Sequence, residues 1–254
     1  MIIVCDIGNT NITLGLCEGR RLVSAVSLST KRVRGFRQFL RTMLSSKHLT
    51  FTQIEACMIC SVVPEAAKII ERAFRSIPLY VLGKNVKVPL KNLYAHPEQV
   101  GQDRLVCAYM AMKLYGAPVI SIDLGTALTF DVVSKNKEYL GGIIVPGVKL
   151  ALLALHRYTA LLPKVALVKA GCLIGKNTKE SMLSGVTFGY GGFIDAMVEK
   201  LKKELGRSAS AVLTGGDSQF LTAYCKKVDY THPCLILEGM LEIMKQGKKI
   251  AKNT

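Results

Sequence analysis

The chain has 254 residues, 50% hydrophobic and 20% charged, with a mean hydropathy of +0.30. That composition supports a sizeable core and excludes a disordered chain. The net charge of +16 admits an anionic partner, while the best apolar stretch, Ile143 to Leu155, is broken by Pro146, Gly147 and Lys149 and cannot span a bilayer. Met1 to Cys5 is apolar but stops at Asp6 with no basic segment before it, so it does not read as a signal peptide. A cytoplasmic protein with no membrane partner is expected.

Taken in chain order, strand-like runs at 2–6, 11–17 and 21–28 form an antiparallel meander. A helix is predicted from about Gly35 to Ser46, a buried strand from Ala56 to Val63, and a helix from Glu65 to Arg75, just after Pro64. A short strand follows at Leu79 to Leu82, then a loop through Tyr94-Ala95-His96-Pro97, then a helix over Gly101 to Leu114. The second half repeats the order. Strands at 119–123, 127–133 and 139–145 make another meander, turning at Lys135-Asn136. Helices follow near 149–155 and 177–205, then a strand at Ala211 to Leu213 and a helix from Leu237 to Lys245. Two mixed α/β domains are expected, 1–117 and 118–254.

The eight cysteines lie mostly among aliphatic residues. Cys57 and Cys60 have CxxC spacing, but on a strand they point to opposite faces, so all eight are read as buried free thiols. The four histidines show no ligand spacing. Between Arg20 and Lys47 there are eight Lys/Arg and no acidic residue. Arg34, Arg37 and Arg41 share one helical face and Phe36, Leu40 and Met43 another, which reads as an amphipathic surface helix; no nucleic-acid partner is expected.

Two motifs carry the chemistry. Asp6-Ile7-Gly8-Asn9-Thr10 follows one apolar run and Asp123-Leu124-Gly125-Thr126-Ala127 another, 117 positions later (123 − 6). A strand that ends in Asp, turns on Gly and returns past hydroxyl residues suits a metal-bound phosphate. The carboxylate can hold Mg²⁺ or its waters, and Gly lets the backbone N–H groups approach phosphate oxygens. The repetition suggests a duplication with a nucleotide held between two similar halves. Gly171-Cys-Leu-Ile-Gly175-Lys176-Asn177-Thr178 imitates a P-loop. It is one residue short between its glycines, and Asn177 follows the Lys, so it is rejected as one. Asp131 is read as a polar strand residue.

These motifs resemble the ASKHA superfamily of acetate and sugar kinases, Hsp70 and actin, whose fold is two duplicated ribonuclease H-like, actin-like α/β domains. The nearer resemblance is to type III pantothenate kinase, over nearly the whole chain. It rests on Asp6-Ile-Gly-Asn-Thr-Asn11, Ser61-Val-Val-Pro64, Val100-Gly-Gln-Asp-Arg104, Asp123-Leu-Gly-Thr-Ala127, Tyr139-Leu-Gly-Gly142, Pro146-Gly147, Ile174-Gly-Lys-Asn-Thr178, Gly189-Tyr-Gly-Gly192 and Thr214-Gly-Gly216.

The resemblance implies roles. Asp6, Ile7, Gly8, Asn9, Thr10, Asn11, Ile12 and Thr13 would form the first ATP-phosphate loop, with Asp6 near Mg²⁺. Thr126 would contact ATP from the second loop, and Asp123 would help bind a monovalent cation, K⁺ or NH₄⁺. Asp103 would be the base, and Tyr94, Gly101, Gln102, Asp103, Arg104 and Thr178 would hold pantothenate. The family pattern is a homodimer. Met182, Val186 and Phe193, on the helix after Thr178, are candidates for that contact or for plain core. The chain departs from the pattern at Gln102, where a small residue is usual, at His96, and at Tyr158, where Arg is usual. Phosphorylation of pantothenate to 4′-phosphopantothenate, opening coenzyme A synthesis, is the expected function. A Bvg-accessory-factor-like regulator and an ASKHA kinase for another small alcohol are the alternatives.

Overall fold

The computed structural model describes residues 1–250. The first repeat begins with β1 (Ile2–Ile7), β2 (Asn11–Glu18) and β3 (Arg21–Ser29), an antiparallel meander in which Asp6 pairs Thr13 and Thr13 pairs Ser27. A 3₁₀ segment over Thr30–Gly35 leads into α1 (Phe36–Ser45). The helix is therefore shorter than expected, and Arg34 lies outside it. β4 (Ala56–Ser61) runs parallel to β1, α2 (Pro64–Ala73) opens on its proline, and β5 (Leu79–Val81) ends a sheet ordered β3-β2-β1-β4-β5.

After β6 (Lys91–Asn92) and α3 (Gln102–Tyr115), the second repeat opens with β7 (Val119–Leu124), β8 (Ala127–Val133) and β9 (Glu138–Pro146), again antiparallel. α4 (Val148–Arg157), α5 (Thr178–Ser184) and α6 (Tyr190–Leu205) follow. The single helix expected over 177–205 is divided by a π-helical turn at Gly185–Gly189, where the Thr187 hydroxyl donates to the Leu183 carbonyl. β10 (Ser210–Thr214), α7 (Ser218–Leu221), β11 (Tyr230–Thr231) and α8 (Leu235–Ile250) complete the described chain. The second sheet reads β11-β10-β7-β8-β9-β6, the order of the first with β6 added at one edge.

The compact units do not follow chain order. One comprises Met1–Pro89, Glu98–Met110 and the segment from Ile236 onward; the other comprises Leu90–Pro97 and Ala111–Leu235. From Ile236 onward, α8 packs into the first unit. Gly239 permits this, because a Cβ there would come within 2.8 Å of Val106 and 3.0 Å of Met110.

In the first unit, Ile3, Cys5, Ile7, Ile12, Leu14 and Ile59 face α1 and α2, with Phe36 and Leu40 from α1, Ile70 from α2 and Phe74 just beyond it filling that side. The alternate face carries Gly15 against Leu237 of α8. Asp6 belongs by alternation to this second face. In the second unit, Ile120, Ile122, Leu124, Leu128 and Phe130 pack under α4, α5 and α6. Met182 and Val186 lie in that core and the partly buried Phe193 packs against it, so the first two are internal. Asp131 is buried, accepting bonds from the Tyr139 hydroxyl at 2.7 Å and the Thr129 hydroxyl at 3.0 Å.

All eight cysteines are free, but only Cys5, Cys17, Cys57, Cys60 and Cys107 are buried; Cys172 is exposed and Cys225 and Cys234 are intermediate. The three exceptions lie outside sheet interiors. Phe74, fully buried, sits 5.8 Å from the Phe36 ring and 6.0 Å from that of Phe51. Phe74→Ala is expected to lower the unfolding free energy by about 3–5 kcal/mol in urea denaturation. A loss below about 1 kcal/mol would remove this aromatic cluster as the anchor of the first unit.

Candidate active site

Each acidic motif becomes the turn of the first hairpin of its repeat, and both turns are tied down through their carbonyls in one pattern. In the first, the Gly8 N–H donates to the Asn11 carbonyl at 2.9 Å, Thr30 N–H to Thr10 at 2.9 Å, and Val62 N–H to Ile7 at 3.1 Å. In the second, Gly125 N–H donates to Ala127 at 3.0 Å, Gly147 N–H to Thr126 at 3.0 Å, and Asp217 N–H to Leu124 at 3.1 Å. So in each repeat the end of the third strand and the exit of the fourth clamp the turn. The Thr30 hydroxyl adds a 2.7 Å bond to the Gly8 carbonyl.

In the first unit the turn residues Asn9, Thr10 and Asn11 are exposed and Ile7 and Ile12 are buried. The aliphatic pair anchors the turn, and the polar residues face outward. Asp6 pairs Cys60 across the parallel strands. The Cys60 thiol is raised well above its ordinary pKa by burial first, then by the charges of Asp6 and Asp103. That thiol therefore lies in the field of both carboxylates, which the sequence separates by almost a hundred residues. The structure brings these two predicted residues together.

Asp103 stands in the first turn of α3, where its Oδ1 accepts the Arg104 N–H at 2.8 Å. A Cβ on Gly101 would collide with that same oxygen. Gly101 is thus what lets the carboxylate fold back over the helix start. Desolvation raises the Asp103 pKa, opposed by the backbone N–H of Arg104 and the Arg104 charge. Burial wins, leaving a carboxylate more basic than usual. Gln102 packs toward Gly83, whose φ is +80°.

In the second unit, Asp123 pairs Thr129 on one side and Thr214 on the other. Gly215, at φ +94°, lies so close that any Cβ would strike the Asp123 Oδ1 and the Leu124 carbonyl. Gly147 approaches the carbonyls of Gly125 and Thr126 in the same way. Beside them Lys149 pairs with the buried Asp217 at 2.5 Å. Thr126 is exposed at the turn. The sequence reading missed Thr30, Gly147, Gly215 and the Lys149–Asp217 pair as site residues. The glycines were legible as motifs, but their clamping role depends on strand exits far away in sequence.

Tyr94 is half-buried and lies over Gly141, whose φ is +132° and whose Cβ would come 3.3 Å from its ring. The exposed Thr178 opens α5 after Asn177, whose side chain caps Glu180 N–H at 3.0 Å. Among the described residues no three His, Cys, Asp or Glu side chains cluster as metal ligands. The donor set still fits the expected ions. Mg²⁺ is typically held by one or two carboxylates and substrate phosphates, and Asp6 supplies one carboxylate. Asp123, flanked by two threonines, offers the oxygen donors a hard monovalent cation needs.

The paired meanders and clamped turns define an ASKHA-type, actin-like α/β fold. The family model described as type III pantothenate kinase matches residues 2–200, and the chain belongs to that family. Among solved structures, it is similar to a Campylobacter jejuni protein assigned to the Baf family of transcriptional activators, at 20% identity and TM-score 0.62, covering 97% of this chain and 99% of that one. It is also similar to the activator of 2-hydroxyisocaproyl-CoA dehydratase from Clostridium difficile with bound ADPNP, at 14% identity, TM-score 0.54, and 100% and 97% coverage. A third likeness is to MreB 5 of Spiroplasma citri bound to AMPPNP, at 11% identity, TM-score 0.54, and 99% and 98% coverage. These likenesses concern the fold. No helix among the described residues is long and apolar enough to cross a membrane.

The Asp103 pKa has a consequence for stability. A carboxyl raised above its unfolded value adds stability below the ordinary aspartate range, and that stability is lost as pH rises through the folded pKa. At neutral pH the ionised group is a burden on the fold. Asp103→Asn should therefore melt higher than the parent at pH 7, and the gap should close as pH falls below the carboxylate range. Thermal melts across pH that show the variant less stable at neutrality would contradict this balance.

Proposed function

We propose that the protein transfers the γ-phosphoryl group of ATP to the primary hydroxyl of pantothenate, giving ADP and 4′-phosphopantothenate, the first step of coenzyme A synthesis in the cytoplasm. The observation that carries this reading is the half-buried Asp103, its pKa raised by desolvation, which with Asp6 acts on the same buried Cys60 thiol, in a chain of the pantothenate kinase family. The fold's nucleotide-bound neighbours support ATP as the donor.

Phosphoryl transfer asks mainly for positioning and charge neutralisation. In this reading Asp6 to Thr13 and Thr126 hold the ATP phosphates, the clamped carbonyls fixing how each turn presents itself. When bound, Mg²⁺ and a monovalent cation, K⁺ or NH₄⁺, neutralise phosphate charge; Asp6 and Asp123 would hold them. Tyr94, Gly101 to Arg104 and Thr178 orient pantothenate. Asp103 accepts the hydroxyl proton, and its raised pKa suits it to that task near neutral pH.

One assay of ADP release tests these roles together. Turnover should require pantothenate over other small alcohols. It should fall when sodium replaces potassium or ammonium at fixed ionic strength, and Asp103→Asn should lower kcat by about 10²–10⁴-fold. Near-normal kcat in that variant would take Asp103 out of the role of base, and turnover with another alcohol alone would reassign the substrate.

We also propose a homodimer. With Met182 and Val186 internal, the contact is better carried by apolar side chains left in water: Leu161 is 92% exposed, Ile174 82% and Tyr158 81%. Large apolar side chains left so exposed favour burial against a partner. Light scattering should give about twice the 27.7 kDa chain mass. Leu161→Asp with Ile174→Asp should give a folded monomer that has lost most pantothenate turnover. A wild-type monomer with full activity would sink the proposal.

A further inference from the structure

The first unit carries a groove of about 520 Å³ between α1 and α2. Four arginines line it, Arg37 and Arg41 from α1, Arg72 from α2 and Arg75 just beyond it. All four are exposed. Among the described residues, no carboxylate forms an ion pair with any of them. The acids of α2 are engaged with lysines instead, Glu65 with Lys68 at 2.7 Å and Glu71 with Lys84 at 2.6 Å. α1 has no acidic residue. One guanidinium bond is spent locally, from Arg37 to the Arg72 carbonyl at 3.4 Å. That carbonyl belongs to the negative end of α2, which accounts for a cation there but not for four.

The remainder of the groove mixes the hydroxyls of Ser45, Thr50 and Ser76 with apolar side chains. Leu49 and Phe51 line it, both partly buried in the core beneath. Four like charges lining one groove repel one another, and an anion among them relieves that repulsion. The cations are all arginine, whose planar fork suits phosphate or carboxylate oxygens better than the point charge of lysine. The volume lies within the roughly 300–1,000 Å³ typical of small-ligand sites. A polymer backbone is better served by a long cationic track than by a short groove of this volume.

We propose that this groove is a second, noncatalytic site for a small organic phosphate. Its phosphate or diphosphate head would lie among the four arginines, and its apolar body along Leu49 and Phe51. The site involves none of the residues assigned above to ATP or pantothenate.

Isothermal titration of the full chain with geranyl diphosphate, pyrophosphate and geraniol tests this. Geranyl diphosphate should bind one per chain, more tightly than pyrophosphate, with no detectable geraniol binding. Excess ATP should leave that binding in place. Arg41→Ala with Arg75→Ala should weaken it by about tenfold or more, with an unchanged melting temperature, and the Lys pair should restore it only in part. Unsaturable binding, full affinity in the alanine variant, or displacement by ATP would each overturn the site. A single-stranded 20-base oligonucleotide that outcompetes geranyl diphosphate, and loses affinity in the alanine variant, would reassign the groove to nucleic acid.

Discussion

Everything the two acidic motifs can do depends on one backbone bond in each repeat, from the end of the third strand to the carbonyl in the turn of the first hairpin. Thr30 supplies it to Thr10 and Gly147 supplies it to Thr126. A glycine turn left to itself samples many conformations, because glycine loses more backbone freedom on ordering than any other residue. Fixing its carbonyls fixes the plane of the adjoining peptides, and hence the direction of their N–H groups. A phosphate cradle needs such fixed amides before the anion arrives, since dipoles that must reorganise on binding contribute less. The meander is thus more than a scaffold. Its third strand has to end where its last residue can reach back over the first turn.

The two turns are clamped alike but equipped differently. The second one takes glycine at both approaching segments, Gly147 and Gly215, because backbone comes too near for any side chain. The first uses Thr30 at the equivalent place, and its hydroxyl adds a bond that glycine cannot make. Four residues, Gly8 to Asn11, separate the paired Ile7 and Ile12, whereas three separate Leu124 and Leu128. The first loop is therefore the roomier and more polar of the two. Asp103, the proposed base, belongs to the first unit, held by a glycine that yields its side-chain volume to the carboxylate. This arrangement costs stability through desolvation, which is the usual relation between a functional carboxylate and its fold.

The sequence made the repeat legible because each strand of the meanders is short, apolar and bounded by glycine or charge. Sheet register then follows from which residues can be buried. β6 and β11 escaped because two residues carry no periodicity. The π-helical turn escaped because its residues keep the apolar spacing of an ordinary helix. Packing of α8 was illegible for a different reason. Its pattern shows that it is amphipathic, but not which sheet it covers. That is decided by Gly15 on β2 and Gly239 on the helix itself, which let the helix approach its neighbours. The candidate site divides in the same way. Asp6, Asp103 and Asp123 could be named from local motifs, while the proximity of Asp6 and Asp103 to Cys60 and the clamps are long-range facts.

The departure at Gln102 shows how such long-range facts alter a local reading. Beside Asp103, a long polar side chain in place of a small one would crowd the start of α3 if nothing answered it. Here the neighbouring backbone is Gly83, in a left-handed conformation at φ +80°, and a Cβ there would stand 3.2 Å from the Gln102 Cγ. The glycine is held in place by its own bond, from Gly83 N–H to the Val86 carbonyl at 2.9 Å. An L-residue at this point would suffer both backbone strain and contact with the glutamine. Gly83 and Gln102 are matched to each other across the first unit. The larger residue is thus accommodated without moving Gly101 or Asp103, and the carboxylate keeps its place over the helix start.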